Sequence, residues 1–217
     1  MEAATIRGAD GDPTAGRTAA EVAATATPPS IVANPGPLGL AAFALTTFVL
    51  SMFNAGLVSS AGEPIVFGLA LAYGGLAQLL AGMWEFRTGN TFGAAAFTSY
   101  GAFWLSFWAF VQFFEKSVPA KEAGHAVGLY LIGWGIFTAY MFIASLRTTG
   151  AIALVFLLLA ITFIVLGIGN AGGTASIVKA GGWIGLATAV AAWYASFAEV
   201  TNATFKRIVL PVRPLSR

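Results

Sequence analysis

The side chains able to handle a solute inside this chain are neutral ones. Phe43, Thr46, Thr47, Leu50 and Asn54 recur at three- and four-residue steps, which sets them on one face of a helix. Leu71, Gly74, Gly75, Gln78 and Gly82 make a second stripe. Tyr100, Phe103, Trp104 and Phe107 make an aromatic third, and Leu159, Thr162, Phe163 and Leu166 a fourth that runs on toward Asn170. Hydroxyls and amides can replace part of a hydration shell without fixing a charge, and rings at the same level can close the path to water. The same stripes also suit ordinary aromatic packing and hydrogen bonds between helices, each contributing only about 0.6 kcal/mol in lipid. A narrow conduit for a small polar solute and a plain helix bundle both fit the periodicity.

Signatures of catalysis are missing, which points away from an enzyme. No H-E-x-x-H, G-x-S-x-G or paired intramembrane carboxylate occurs, and the single histidine, His125, falls at the end of an apolar block. Cysteine is absent, which excludes disulfides, iron–sulfur clusters and thiol chemistry. No metal site or cofactor motif is expected. Glu85, Lys179 and Glu199 stand near block ends, where a charged head is expected to snorkel to the interface.

These stripes must be carried by membrane-spanning helices. Of 217 residues 58% are apolar and 9% charged, and the mean hydropathy is +0.80; soluble domains carry about 25% charged residues. Apolar blocks run over 38–60, 64–84, 91–114, 124–146, 151–170 and 177–199, each near the roughly 20 residues that cross a bilayer. The expected fold is an all-α integral membrane bundle of six spans. Its parts are a flexible cytoplasmic tail over 1–33, a transport domain over 34–202 and a basic cytoplasmic tail over 203–217. The first tail has no apolar core that would make it a signal peptide.

Short connections carry the turn residues, among them Gly62-Glu63-Pro64 and Thr88-Gly89-Asn90. With six spans both termini share a side. That side holds Arg7, Arg17, Arg87, Arg147, Lys206, Arg207, Arg213 and Arg217, against Lys116, Lys121 and Lys179 on the other. The excess puts both termini in the cytoplasm. The net charge of +2 is too small to argue for nucleic acid, and the lipid surface is the expected neighbour of the basic tail. Small-xxx-small pairs (Gly89/Gly93, Gly124/Gly128, Gly169/Gly173, Gly181/Gly185) predict close helix approach or oligomers.

Asn34-Pro35-Gly36-Pro37-Leu38-Gly39-Leu40 starts the first span, because each proline pushes its predecessor out of the α region and is tolerated only where a helix opens. This heptapeptide resembles the N-P-x-P-L-G-L signature of the acetate uptake transporter family, the succinate-acetate permeases. One departure is Gly36, where Ala is usual. The similarity continues through Tyr73-Gly74-Gly75, Gly89-Asn90-Thr91-Phe92-Gly93, Phe97-Thr98-Ser99-Tyr100-Gly101, Gly167-Ile168-Gly169-Asn170 and Ala180-Gly181-Gly182-Trp183-Ile184-Gly185-Leu186.

The resemblance implies a six-helix protomer in a ring-shaped homohexamer of the cell membrane, with a path in each protomer for acetate and related short carboxylates such as succinate. It also implies a hydrophobic constriction, which by motif position falls on Phe43, Tyr100 and Leu159, the last placed by counting back from Asn170. Thr46, Thr47, Asn54, Gln78 and Trp104 are expected to line the path. The N–H groups of Gly36 and Leu38 are expected to face an anion, and the Tyr100 hydroxyl to donate to its carboxylate. A urea or amide channel, an ammonium channel and a non-transporting membrane sensor are the alternative readings.

Overall fold

The signature heptapeptide opens a helix through its own side chain. The Gly36 N–H donates to Asn34 Oδ1 at 2.9 Å, and Pro35 C=O accepts from the Gly39 N–H at 3.1 Å. In this computed structural model, which describes residues 32–215, six helices are long and apolar enough to cross a membrane. They are α1 Gly36–Asn54, α2 Ile65–Thr88, α3 Thr91–Ser117, α4 Ala120–Ser145, α5 Gly150–Ala171 and α6 Ala175–Phe205. The expected tail over 1–33 lies, but for its last two residues, outside the described residues.

Local chemistry sets the boundaries. Gly89 takes φ +78° after α2, the left-handed conformation that closes a helix without a Cβ penalty. Asn90 then caps α3 by accepting from the Gly93 N–H at 3.1 Å. Thr149 caps α5 in the same way, accepting from the Ile152 N–H at 3.3 Å. α1 stops at Asn54 and not at Ser60, because the chain turns through Gly56 at φ +73° into a short 3-10 turn, Ser60–Gly62. α6 extends to Phe205, beyond its apolar block.

Two helices contain segments that apolar periodicity does not reveal. α2 widens into a π-helix over Ala72–Ala77, which holds the Tyr73-Gly74-Gly75 motif, and α3 does so over Phe110–Phe114. Such bulges insert a residue into the turn and rotate everything beyond them.

α1 packs on α6, α5 on both α4 and α6, and α2 on α3. Glycine permits the closest of these approaches: a Cβ on Gly182 of α6 would meet the backbone of Asn54 and Ala55. Gly124/Gly128 and Gly181/Gly185 do sit at helix contacts. Gly89/Gly93 and Gly169/Gly173 do not act as packing pairs, since Gly89 and Gly173 are turn residues with positive φ.

The segment after α6 folds back. Asn202 Oδ1 accepts from the N–H groups of Val209 and Leu210 at 2.7 and 2.9 Å, and the Tyr194 hydroxyl donates to Pro211 C=O at 2.7 Å. The N–H groups of Gly150 and Ala151 donate to Arg213 and Val212 C=O at 2.7 and 3.2 Å. The first free donors of α5 are thereby satisfied by the tail.

Candidate functional site

Three buried side chains from α1, α3 and α5 meet in the centre of the bundle. Phe43, Tyr100 and Leu159 are 4%, 3% and 3% exposed and belong to one apolar cluster. The rings of Phe43 and Tyr100 lie 5.9 Å apart at 48°, and Phe163 stacks on Tyr100 at 6.5 Å. α1, α3 and α5 are odd-numbered spans, so they cross in the same direction. A step of seven residues along each is two turns, about 10.5 Å.

Seven residues beyond the ring, Leu50, Phe107 and Leu166 line a cavity of about 640 Å³. Asn54, Phe67, Phe103, Tyr130 and Asn170 complete its inner wall, and Glu63 and Glu115 reach it from the loop side. A wide chamber therefore narrows onto a closed ring. Glu63 lies outside the spans, and burial, followed by the negative charge of Glu115, holds its carboxyl above the ordinary carboxylate range.

The expected path residues separate into three kinds. Asn54 lines the chamber. Thr46 is committed elsewhere: its hydroxyl donates to Ala42 C=O at 2.9 Å, and a Cβ on Gly74 of α2 would meet it at 2.6 Å. Thr47, Gln78 and Trp104 are buried and leave Thr47 Oγ1, Gln78 Oε1 and Trp104 Nε1 without a hydrogen-bond partner. A buried polar group without a partner costs about 1–3 kcal/mol, so three such atoms on residues expected to line a path call for an explanation, although none of the three lines the cavity.

Two expectations about anion donors do not hold. The Tyr100 hydroxyl stands 2.9 Å from Thr138 Oγ1, and Thr138 spends its own proton on Trp134 C=O at 2.7 Å. Tyr100 must therefore be the donor in that pair, which leaves the carboxylate without this proton. The Gly36 N–H is likewise taken by Asn34. The rest of the signature anchors the helix start, with Pro37 C=O accepting from Ser196 of α6 at 2.7 Å.

Glu85 departs furthest from its expected role. It does not snorkel but is 1% exposed, with Oε2 accepting from the Thr88 hydroxyl at 3.1 Å and Oε1 unpartnered. The signal was in the sequence, since Glu85 extends the stripe of Gln78 and Gly82 by one more turn. Glu63 and Glu115 had no such periodic signal, because a turn and the end of α3 bring them to the chamber, and Tyr130 comes from the middle of α4.

Comparison with known proteins agrees with this architecture. The model of the GPR1/FUN34/yaaH family matches residues 16–217. Acetate permease A of Emericella nidulans is 45% identical over 196 residues, covering 83% of this chain and 65% of the permease, so the chain spans just under two thirds of that relative. The succinate-acetate/proton symporter SatP of Escherichia coli K12 is 41% identical over 181 residues, covering 83% of this chain and 95% of SatP. A solved structure, described as that of the bacterial acetate channel SatP, superposes with a TM-score of 0.78 at 40% identity, over 83% of this chain and 99% of that one. The six spans, the signature and these matches together establish that the chain belongs to the GPR1/FUN34/yaaH family.

Proposed function

We propose that this protein is a membrane permease or channel that passes acetate and related short carboxylates through a path within each protomer. The observation that carries the reading is the register of α1, α3 and α5, in which a 640 Å³ chamber stands two turns from a closed ring of Phe43, Tyr100 and Leu159. The names of the relatives support the substrate class.

A bare carboxylate brought into a medium of low dielectric costs on the order of 20 kcal/mol in the idealised limit. Neutral dipoles must offset this. The Trp104 Nε1–H and the Thr47 hydroxyl are free to donate to the carboxylate, while Gln78 Oε1 is free to accept the proton of an undissociated acid. Phe43 and Leu159 wall the methyl end and select by size, and Tyr100 contributes its ring while its hydroxyl stays on Thr138. No Lys or Arg stands at mid-span to hold the anion, which favours weak binding and release.

The protomer works in the cell membrane as part of a homohexamer, with both termini cytoplasmic. The distribution of Lys and Arg supports this orientation. Outward apolar rows such as Leu129, Ile136 and Ile143 of α4 are suited to lipid contact.

The test is labelled acetate uptake into vesicles holding only this protein, with succinate as competitor. Uptake above that of empty vesicles is expected, and Leu159→Ala is expected to admit larger carboxylates. Current carried by acetate and not by urea separates the anion path from an amide channel. Vesicles no more permeable to acetate than protein-free ones would refute the reading.

A further inference from the structure

Seven residues before the ring, in the direction opposite to the chamber, stand Gly36 on α1 and Gly93 on α3. Gly36 faces two carboxylates, and Gly93 faces one of the same two. A Cβ on Gly36 would lie 2.9 Å from Glu199 Oε2, 3.0 Å from Asn34 Oδ1 and 3.6 Å from Glu85 Oε1. A Cβ on Gly93 would lie 2.8 Å from the same Glu85 Oε1. Side chains from α2 and α6 thus converge on one spot lined by two glycines.

The pair has little to neutralise it. Glu199 Oε2 accepts from Asn34 Nδ2 at 3.1 Å, and Glu85 Oε2 accepts from the Thr88 hydroxyl, with the neutral Asn90 amide beside the same carboxylate. α1 contributes Asn34 and α3 contributes Asn90 to the surroundings, and neither titrates. The cations nearest in sequence to the pair and to this end of the bundle are Arg87, Arg147, Lys206 and Arg207. Among the described residues none forms an ion pair with either carboxylate. Two negative charges so placed, one of them almost wholly out of water, are expected to share a proton.

We propose that Glu85 and Glu199 form a proton-binding site on the same path, two turns beyond the ring, in which one carboxyl carries a proton that the other stabilises. This rests on the permeation reading above and gives residues to a proton that the name of one relative, a succinate-acetate/proton symporter, already pairs with the acid. An acid arriving protonated transfers its O–H proton to the free Glu85 Oε1 and leaves as the anion. Loss of that proton to water at the Gly36 end returns Glu85 to the carboxylate. One O–H bond breaks as the other forms, and nothing is oxidised or reduced.

Infrared spectra of the full chain in vesicles at neutral pH test the site without requiring transport. A carboxylic acid C=O band that shifts in D2O is expected. Glu85→Gln and Glu199→Gln should each remove it, whereas Glu63→Gln, which alters the chamber, should keep it. A wild-type protein without the band, or a band unchanged by both substitutions, overturns the proposal. Should Glu85→Gln fail to fold, the wild-type spectrum and Glu199→Gln decide. In acetate-loaded vesicles the ratio of protons to acetate moved should fall toward zero in Glu199→Gln, and an unchanged ratio overturns the coupling. Absence of acetate flux in the wild type would sink the permeation reading and leave the infrared result standing.

Discussion

The Asn54 end and the Gly36 end of the bundle are made from the same three helices and differ in how the backbone is held. At the Asn54 end α1 gives way to a turn, α3 loosens into the π segment Phe110–Phe114, and a chamber of about 640 Å³ opens. At the Gly36 end Asn34, Ser196 and the returning C-terminal segment tie helix ends together, and glycines admit side chains against the backbone. The chamber carries two glutamates and the Gly36 end another two. Those of the chamber, Glu63 and Glu115, remain partly or fully open to water, whereas Glu85 is sealed. The pairing of acids is therefore not what distinguishes the ends. Burial is, because a carboxylate open to water keeps its hydration and one sealed from it must find its partners within the protein.

The largest effect is expected from removing the divider. Phe43→Ala joins the two regions and should raise the ratio of succinate to acetate flux on the order of a hundredfold, because a pocket discriminates by about 10–200-fold per missing group of this kind. Competitive uptake into vesicles measures it, and an unchanged ratio would place the size filter elsewhere.

A smaller effect is expected at the chamber. As pH falls through the elevated range of Glu63, this carboxyl takes a proton, the chamber loses a negative charge, and acetate anions enter more readily. Glu63→Gln should raise uptake at neutral pH about threefold and flatten its dependence on pH at fixed anion concentration. The linkage runs in the matching direction: the folded state binds this proton more tightly than the unfolded chain, so stability falls as pH rises through the folded value. Melting temperatures should show Glu63→Gln neutral in acid and stabilising above that range. Uptake lowered by the substitution would make Glu63 a contact and not a field.

The smallest effect is expected at the ring itself. Tyr100→Phe removes one hydrogen bond, and Thr138 keeps its bond to Trp134 C=O. Acetate flux should fall about threefold or less, the equivalent of about 0.6 kcal/mol. A much larger loss would mean that the hydroxyl leaves Thr138 for the substrate.

The helix count and the heptapeptide start of α1 were legible because hydropathy, proline and a local Asn–Gly contact act within one segment. That Phe43 and Tyr100 meet in the buried centre was legible through motif position. The two π segments were not, since an extra residue per turn leaves composition unchanged. Nor was the division among Thr46, Thr47, Gln78 and Trp104, which have similar chemistry but different neighbours.

Length, apolarity and punctuation along the chain specified a six-span protein, because crossing lipid requires each segment to satisfy its own backbone. Which polar atoms remain open is another matter. Tyr100 is engaged because Thr138 packs opposite it, Glu85 is sealed because α1, α3 and α6 close over it, and hydrogen-bond satisfaction exists only once those distant segments meet.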